Sequence, residues 1–135
     1  MDTYVFGRRM YETMRVWDTL DDPEPVMQDY AQIWRGIDKI VFSRSLDEVT
    51  TERTRLEREF DPEVIRAIGG EIEIAGAELA AQAFAAGLFD LIELYVCPAV
   101  VGGGKRALPE GVRMDLRLVE THSFENGTVY LAYAR

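Results

Sequence analysis

The chain has 135 residues, enough for one domain of ordinary size, and a formal net charge of −9. This acidic balance argues against nonspecific nucleic-acid binding, which needs a basic face. No apolar run is long enough for a transmembrane helix, no signal-peptide pattern is present, and the single cysteine fits a reducing cytoplasm. We therefore expect a cytoplasmic protein with neither a nucleic-acid nor a membrane partner.

Short apolar runs alternate with helical patterns over the first two thirds of the chain. The predicted order is a strand over 3–6, a helix opening at Gly7, a second helix closing near Gly36, a strand over 39–43, a charged connection with a short edge strand near Arg55, a short helix over 61–69 capped by Asp61, a strand over 71–75 and a helix over 77–86 stopped by Gly87. Such alternation predicts a largely parallel sheet with helices on both faces.

The last third of the chain has a different pattern. Residues 90–98, "DLIELYVCP", predict a long strand that is apolar on both faces for much of its length, and a glycine-rich loop over 98–105 follows. Two apolar runs then flank "ENG" at 125–127, and Asn-Gly between apolar runs is the strongest short signal for a β-hairpin. The chain is thus predicted to end in an antiparallel hairpin.

Three predicted strand exits carry residues suited to binding an anion. Gly7 is followed by two arginines at a helix start, where free backbone N–H groups and the helix dipole attract negative charge. Gly76 and the small Ala77 open another helix, and Ser43 and Arg44 follow a third strand. Each corner also has a purely structural interpretation: a tight turn with solvated arginines, close helix-to-strand packing, or an exposed loop arginine.

Taken together, the three corners favour a phosphate site. Ligands of parallel sheets bind at the carboxyl ends of the strands, which is where all three exits are predicted to lie. A dinucleotide with a 2′-phosphate needs a helix start for its pyrophosphate and cations for the additional phosphate.

Few other residues carry a chemical signal. Cys97 is interpreted as a buried, inert thiol rather than a reactive one, because no cation stands beside it in the sequence. His122 is the only histidine, which argues against histidine triads and multi-histidine metal sites, and we predict no metal site. No carboxylate stands out as a general acid, so the catalytic residue is left unassigned.

Four blocks of the sequence resemble, in order, the dihydrofolate-reductase-like superfamily. They are "GRRMYETM", "KIVFSRSL", "IEIAGAELAAQAFAAGLFDLIELYVCPAVVGGGKRAL" and "LRLVETHSFENGTVYLAYAR". The chain is most similar to the reductase domain of the bifunctional riboflavin-biosynthesis deaminase-reductase and its stand-alone bacterial relatives. The resemblance covers nearly the whole chain, and the block from Ile72 to Lys105 is its most specific part.

This resemblance implies a three-layer α/β/α sandwich around a mostly parallel mixed sheet with an antiparallel C-terminal hairpin, formed by residues 1–135 as a single domain. It implies hydride transfer from NADPH. By position, it implies cofactor contacts from three groups of residues: Gly7, Arg8 and Arg9; Ser43 and Arg44; and Gly76, Ala77, Glu78 and Leu79.

The sequence also departs from the family pattern. Met10 stands where threonine is usual, and Ala77 where a second glycine is usual. The family's first strand, its Ser-Leu-Asp-Gly-like loop and the helix after it have no counterpart here. Because an absent inner strand leaves backbone groups unpaired, we expect another segment or partner chain in its place, or a truncated start.

Three hypotheses follow. The first is an NADPH-dependent reductase of a small heterocyclic substrate, of the 5-amino-6-(5-phosphoribosylamino)uracil reductase type. The second is a nucleotide-binding module that is catalytically incomplete. The third is a dimeric structural protein, with apolar C-terminal strands pairing across a two-fold axis. A homodimer is expected in any case.

Overall fold

A computed structural model describes residues 1–135 and contains seven strands and four α-helices. In chain order the elements are β1 (Thr3–Gly7), α1 (Arg8–Met14), a 3₁₀ turn (Arg15–Asp18), α2 (Pro25–Gly36), β2 (Asp38–Phe42), β3 (Thr54–Glu57), α3 (Pro62–Arg66), β4 (Ile72–Ala75), α4 (Ala77–Ala85), β5 (Leu91–Val96), β6 (Arg117–Ser123) and β7 (Val129–Ala134). The predicted alternation is confirmed, including the short strand near Arg55.

The first four strands form a parallel sheet in the order β3-β2-β1-β4. Their connections contain α1, α2, α3 and the loop after β2, so each strand returns in the same direction, as crossover connections require. The Asp61 side chain accepts a hydrogen bond from the backbone N–H of Glu63, which confirms the predicted cap of α3.

Side chains alternate across this sheet and build a core on each face. On one face Val5, Ile40 and Phe42 pack with Ile65 of α3 and Leu79 of α4. Because α1 and α2 cover the opposite face, the predicted three layers are present in this part of the chain.

On the opposite face an aromatic cluster fills the space between the sheet, α1 and α2. Phe6 and Val41 pack there with Tyr11 and Trp34. The rings of Phe6 and Trp34 are stacked with centroids 5.7 Å apart. This cluster contains the largest fully buried side chains of the protein.

The remaining strands form a second, antiparallel sheet in the order β5-β7-β6. The predicted hairpin is confirmed, and its turn has three residues. The Phe124 N–H donates to the Thr128 carbonyl, the Gly127 N–H donates to the Phe124 carbonyl, and Gly127 has a φ of 88°. One point differs from the sequence-based expectation, since the parallel and antiparallel strands form two sheets and not one mixed sheet.

The prediction that the Cys97 thiol is buried was wrong. β5 has apolar residues on both faces, yet Ile92 is its only buried residue, and Cys97 just after it is exposed. No helix of the chain makes an extended contact with this sheet. An apolar strand is buried only where another element covers it, so the predicted buried thiol is in fact an exposed one.

The longest helix has 12 residues, and no helix combines the length and hydrophobicity that crossing a membrane requires.

Candidate cofactor site

The carboxyl ends of the four parallel strands lie side by side at one rim of the sheet. Gly7 pairs with Phe42, Phe42 with Glu57, and Phe6 with Ala75. The residues that follow each strand therefore leave the sheet together. This geometry is what the sequence predicted for three of the exits, and β3 adds a fourth.

A cleft of about 560 Å³ opens at this rim. Eight of the nine predicted cofactor residues line it: Gly7, Arg8, Arg9, Ser43, Arg44, Gly76, Glu78 and Leu79. Ala77 does not line the cleft, although it is the first residue of α4. The structure thus brings the three predicted corners into one concave site; whether they bind a cofactor stays a prediction.

The cations of the cleft differ in how they are held. Arg8 donates to Glu12 at 2.8 Å and to the Ser45 hydroxyl at 3.1 Å, which ties α1 to the loop after β2. The guanidinium of Arg44 lies 3.2 Å from Glu59. The exposed side chain of Arg9 makes neither a hydrogen bond nor an ion pair.

Arg58 and Lys105 also line the cleft, and neither was predicted from the sequence to do so. Arg58 follows β3 directly, as Arg44 and Ser43 follow β2. Its guanidinium donates to the backbone carbonyl of Ser43 at 3.3 Å and to that of Leu46. The signal was present in the sequence, but β3 is short and charged, and its parallel pairing with β2 was not foreseen.

Ser43 lines the cleft and also has a structural role. Its hydroxyl oxygen accepts backbone N–H bonds from Ser45 at 3.3 Å and Leu46 at 3.0 Å, and the residue is buried. It therefore shapes the turn that presents Arg44.

The start of α4 is open on the cleft side. Gly76 is its N-cap, with a φ of 98°, and no side chain caps the helix. A Cβ at this position would meet nothing within 4 Å, so there is room beside the first N–H groups of the helix. Gly7 has a φ of −88°, which any residue can adopt. Its contribution to the cleft is therefore the space that a side chain would otherwise fill.

The cleft is locally positive in an acidic protein. Five cations line it against two carboxylates, Glu59 and Glu78, while the whole chain carries a net charge of −9. The hydrogen bond from Lys105 holds the pKa of Glu78 below its usual range, so this carboxylate is ionised at neutral pH. A small set of cations at one concave site attracts anions whatever the net charge.

The parallel sheet with helices on both faces, the antiparallel sheet that follows and the cleft at the strand ends define a dihydrofolate-reductase-like α/β protein. Residues 72–130 match the family model of the RibD C-terminal domain. A putative riboflavin biosynthesis protein from Shewanella sp. PV-4 has a similar structure, with a TM-score of 0.76 and 18% identity over 99% of this chain and 73% of that one.

Two further proteins are similar to this chain. A pyrimidine reductase-like protein from Corynebacterium diphtheriae superposes with a TM-score of 0.64 and 14% identity, covering 98% of this chain and 75% of that one. An uncharacterized protein from Bacillus subtilis, YyaP, is 25% identical over an alignment of 138 positions that covers 98% of this chain and 73% of that protein. The resemblance stated from the sequence is confirmed at this level: residues 72–130 match the RibD C-terminal domain, and the chain shares the fold of the two solved structures.

Proposed function

We propose that the protein is an NADPH-dependent reductase of a small heterocyclic substrate. The observation that carries this proposal is the single cleft at the ends of four parallel strands, where five cations and an uncapped helix start converge in an otherwise acidic chain. Ligands of open α/β sheets bind at this position.

The residues of the cleft fit the phosphates of such a cofactor. The open start of α4 at Gly76, together with the unpaired Arg9, suits a pyrophosphate. Arg44 and Arg58, on neighbouring strand exits, suit a separate 2′-phosphate. A reduced nicotinamide supplies a hydride; the chain's own part is to bind and orient it beside the substrate and to exclude water.

The substrate class rests on the relatives. The matching family model is the RibD C-terminal domain, and the two similar solved structures are described as a putative riboflavin biosynthesis protein and a pyrimidine reductase-like protein. We propose a ribosylamino-pyrimidine of the 5-amino-6-(5-phosphoribosylamino)uracil type as the first substrate to test.

Titration of the purified chain with NADPH and NADH tests cofactor binding. We expect tighter binding of NADPH, and we expect Arg44→Ala to weaken it by about 10- to 100-fold, as loss of a charged hydrogen bond implies. NADH binding should change little. Arg113→Ala is the matched control, because Arg113 is also exposed and pairs with a carboxylate at 3.2 Å but lies outside the cleft. Equal binding of the two cofactors to the wild type contradicts the assignment of Arg44.

A nucleotide-binding module without catalysis is the second candidate. Two features of the cleft favour it. Met10 lines the cleft at a position where threonine is usual, so the threonine hydroxyl is absent. Both lining carboxylates are already ion-paired, so neither is free to move a proton. Oxidation of NADPH, followed by absorbance with a panel of pyrimidine and pterin-like substrates, separates the candidates. Tight binding without turnover of any substrate supports the module.

A further inference from the structure

The turn after β2, residues 43–47, carries the Arg44 side chain that the proposed function assigns to a phosphate. This side chain is 79% exposed, and its one ionic contact is with the Glu59 carboxylate at 3.2 Å. An exposed arginine loses rotamer freedom when it binds a ligand, and a loose turn beneath it would add to that cost. The strength of an Arg44–phosphate contact therefore depends on how firmly the turn is held.

The guanidinium of Arg58 holds this turn through its backbone carbonyls. One terminal nitrogen donates to the carbonyl of Ser43 at 3.3 Å and to that of Leu46, and the other donates to the carbonyl of Asp47 at 3.3 Å. These three acceptors lie at the two ends of the turn. A planar guanidinium presents several N–H groups in a fixed fork, whereas an ammonium is a point charge on a flexible stem. Arg58 therefore fixes both ends of the turn with one rigid group.

The other polar groups of the turn are bonded as well. The Ser43 hydroxyl accepts the N–H groups of Ser45 and Leu46, and the Ser43 N–H donates to the Glu57 carbonyl at 2.9 Å, next to the paired ends of β2 and β3. From the side of α1, Arg8 donates to the Ser45 hydroxyl at 3.1 Å. The turn is thus held from within, from α1 and from the exit of β3.

Arg58 differs from Arg44 in its partners. Its hydrogen bonds go to neutral carbonyls, and it forms no ion pair with a carboxylate, so its positive charge beside the cleft is not neutralised. Its contribution to anion binding consequently has two separable parts, the charge itself and the geometry of the turn. Lysine at this position keeps the charge and removes the rigid fork.

We propose that Arg58 is a positioning residue that fixes the 43–47 turn so that Arg44 is presented to the 2′-phosphate of NADPH. The proposal rests on the proposed function, and it gives the selectivity for NADPH over NADH to two residues on neighbouring strand exits. Arg44 contacts the phosphate, and Arg58 acts through Arg44. Such preorganisation lowers the cost of ordering the arginine when the cofactor binds.

Titration of Arg58→Lys with NADPH and NADH tests this role. Because the charge is kept and the fork is lost, we expect NADPH binding to weaken by about 10-fold and NADH binding to change by less than about twofold. Arg55→Lys is the matched control, because Arg55 lies on β3, is exposed and pairs with Glu57 at 3.0 Å outside the cleft. Unchanged NADPH binding by Arg58→Lys, or equal weakening of both cofactors, overturns the proposal.

A double-mutant cycle distinguishes positioning from direct contact. If Arg58 acts through Arg44, adding Arg58→Lys to Arg44→Ala should weaken NADPH binding no further than Arg44→Ala alone. Effects of the two substitutions that multiply would mean that Arg58 contacts the phosphate by itself, which overturns the positioning role.

Hydrogen exchange of the free chain tests the hold on the turn without any cofactor. The amides of Ser45 and Leu46 donate to the Ser43 hydroxyl, so they should exchange faster in Arg58→Lys and at the wild-type rate in Arg55→Lys. Arg58 is exposed, and thermal unfolding should show that Arg58→Lys keeps the wild-type melting temperature. Unchanged exchange at both amides overturns the proposal.

The two proposals fail in different ways. A wild-type chain that binds no NADPH contradicts the proposed function, and the role of Arg58 in cofactor selectivity is then wrong as well. A wild-type chain that prefers NADPH, with no selective loss in Arg58→Lys, contradicts only the positioning role.

Discussion

The two sheets of this protein have similar apolar sequences and very different burial. Of the 17 buried residues, only Ile92 and Ala132 belong to the antiparallel sheet. The others lie in the parallel sheet and the segments packed on it. The strand β6 is exposed along its whole length. Apolar character alone therefore does not determine burial in this chain; what covers each strand does.

The connections explain the difference. Parallel strands need crossovers, and a crossover places a helix against the sheet as it returns. The hairpin between β6 and β7 places nothing over its own faces. The comparison implies that most of the stability of the free chain resides in the parallel sheet and its two helical layers.

Substitution of Phe6 should have the largest effect. Phe6 is fully buried and stacks on Trp34, so Phe6→Ala should lower the free energy of unfolding by about 3–5 kcal/mol. Leu118→Ala, in the exposed sheet, should change it by no more than about 0.5 kcal/mol. Urea denaturation followed by circular dichroism measures both.

If Phe6→Ala does not fold, Phe6→Leu provides the comparison and should still cost more than Leu118→Ala. Equal losses of unfolding free energy at the two positions would mean that the antiparallel sheet carries as much packing energy as the parallel one. The claim that most of the stability resides in the parallel sheet would then be wrong.

Lys39 shows that the buried region also depends on polar contacts. Its side chain is 1% exposed, and its ammonium donates to the carbonyls of Trp34 at 2.7 Å and Ile37 at 2.9 Å, at the end of α2. Burial lowers the pKa of this lysine. Lys39→Met leaves both carbonyls without this donor but also removes a desolvated charge, so we expect a net loss of about 1–2 kcal/mol.

The exposed Lys105, paired with Glu78, is the control for Lys39. Lys105→Met should change the free energy of unfolding by no more than about 0.5 kcal/mol, because exposed ion pairs contribute little. Thermal unfolding of the two variants at neutral pH gives the comparison. A gain in stability for Lys39→Met would show that the desolvation of the ammonium outweighs its two hydrogen bonds.

A substitution at Gly76 measures the cost of backbone strain at the rim of the cleft without a steric clash. It has a φ of 98° and open space at its Cβ position, so Gly76→Ala should cost about 1 kcal/mol through backbone strain alone. Gly103 also has open space but no positive φ, and Gly103→Ala should be nearly neutral. The urea midpoints of the two variants test this. Equal midpoints would mean that the start of α4 adjusts to accept a side chain.

The sequence predicted the rim of the cleft well because topology alone aligns it. Once strands and helices alternate, parallel strands must end at one edge, so Gly7, Ser43 and Gly76 could be brought together without knowing the register. The sequence predicted a short edge strand near Arg55 but not its partner or register, since four residues with two charges give little periodic signal. Arg58 was missed for that reason.

Other errors arose from what covers a residue, which a pattern does not contain. Cys97 was predicted to be a buried thiol, yet it is exposed, and no helix makes an extended contact with the sheet that precedes it. Ser43 lines the cleft, and its hydroxyl also accepts two backbone N–H bonds from its own turn, a contact that the sequence pattern does not contain. The separation into two sheets depends on long-range pairing, which a local pattern does not contain.

The smallest predicted effect concerns a contact within the exposed sheet. The Tyr130 hydroxyl on β7 donates to the Glu93 carboxylate on β5 at 2.5 Å, and this hydrogen bond raises the pKa of Tyr130 to about 12. Because the folded-state pKa lies above the unfolded value of about 10, the contact stabilises the fold below pH 10 and is lost as the pH rises toward 12.

Absorbance of tyrosinate near 295 nm should therefore show one transition near pH 12 that Tyr130→Phe removes. Glu93→Gln should move that transition toward pH 10, since the carboxylate is the main cause of the shift. Glu110→Gln, which lies outside the sheet, should leave it in place. If Tyr130 titrates near pH 10 in the wild type, the two strands are not held together by this contact, and the antiparallel sheet depends on its backbone ladder alone.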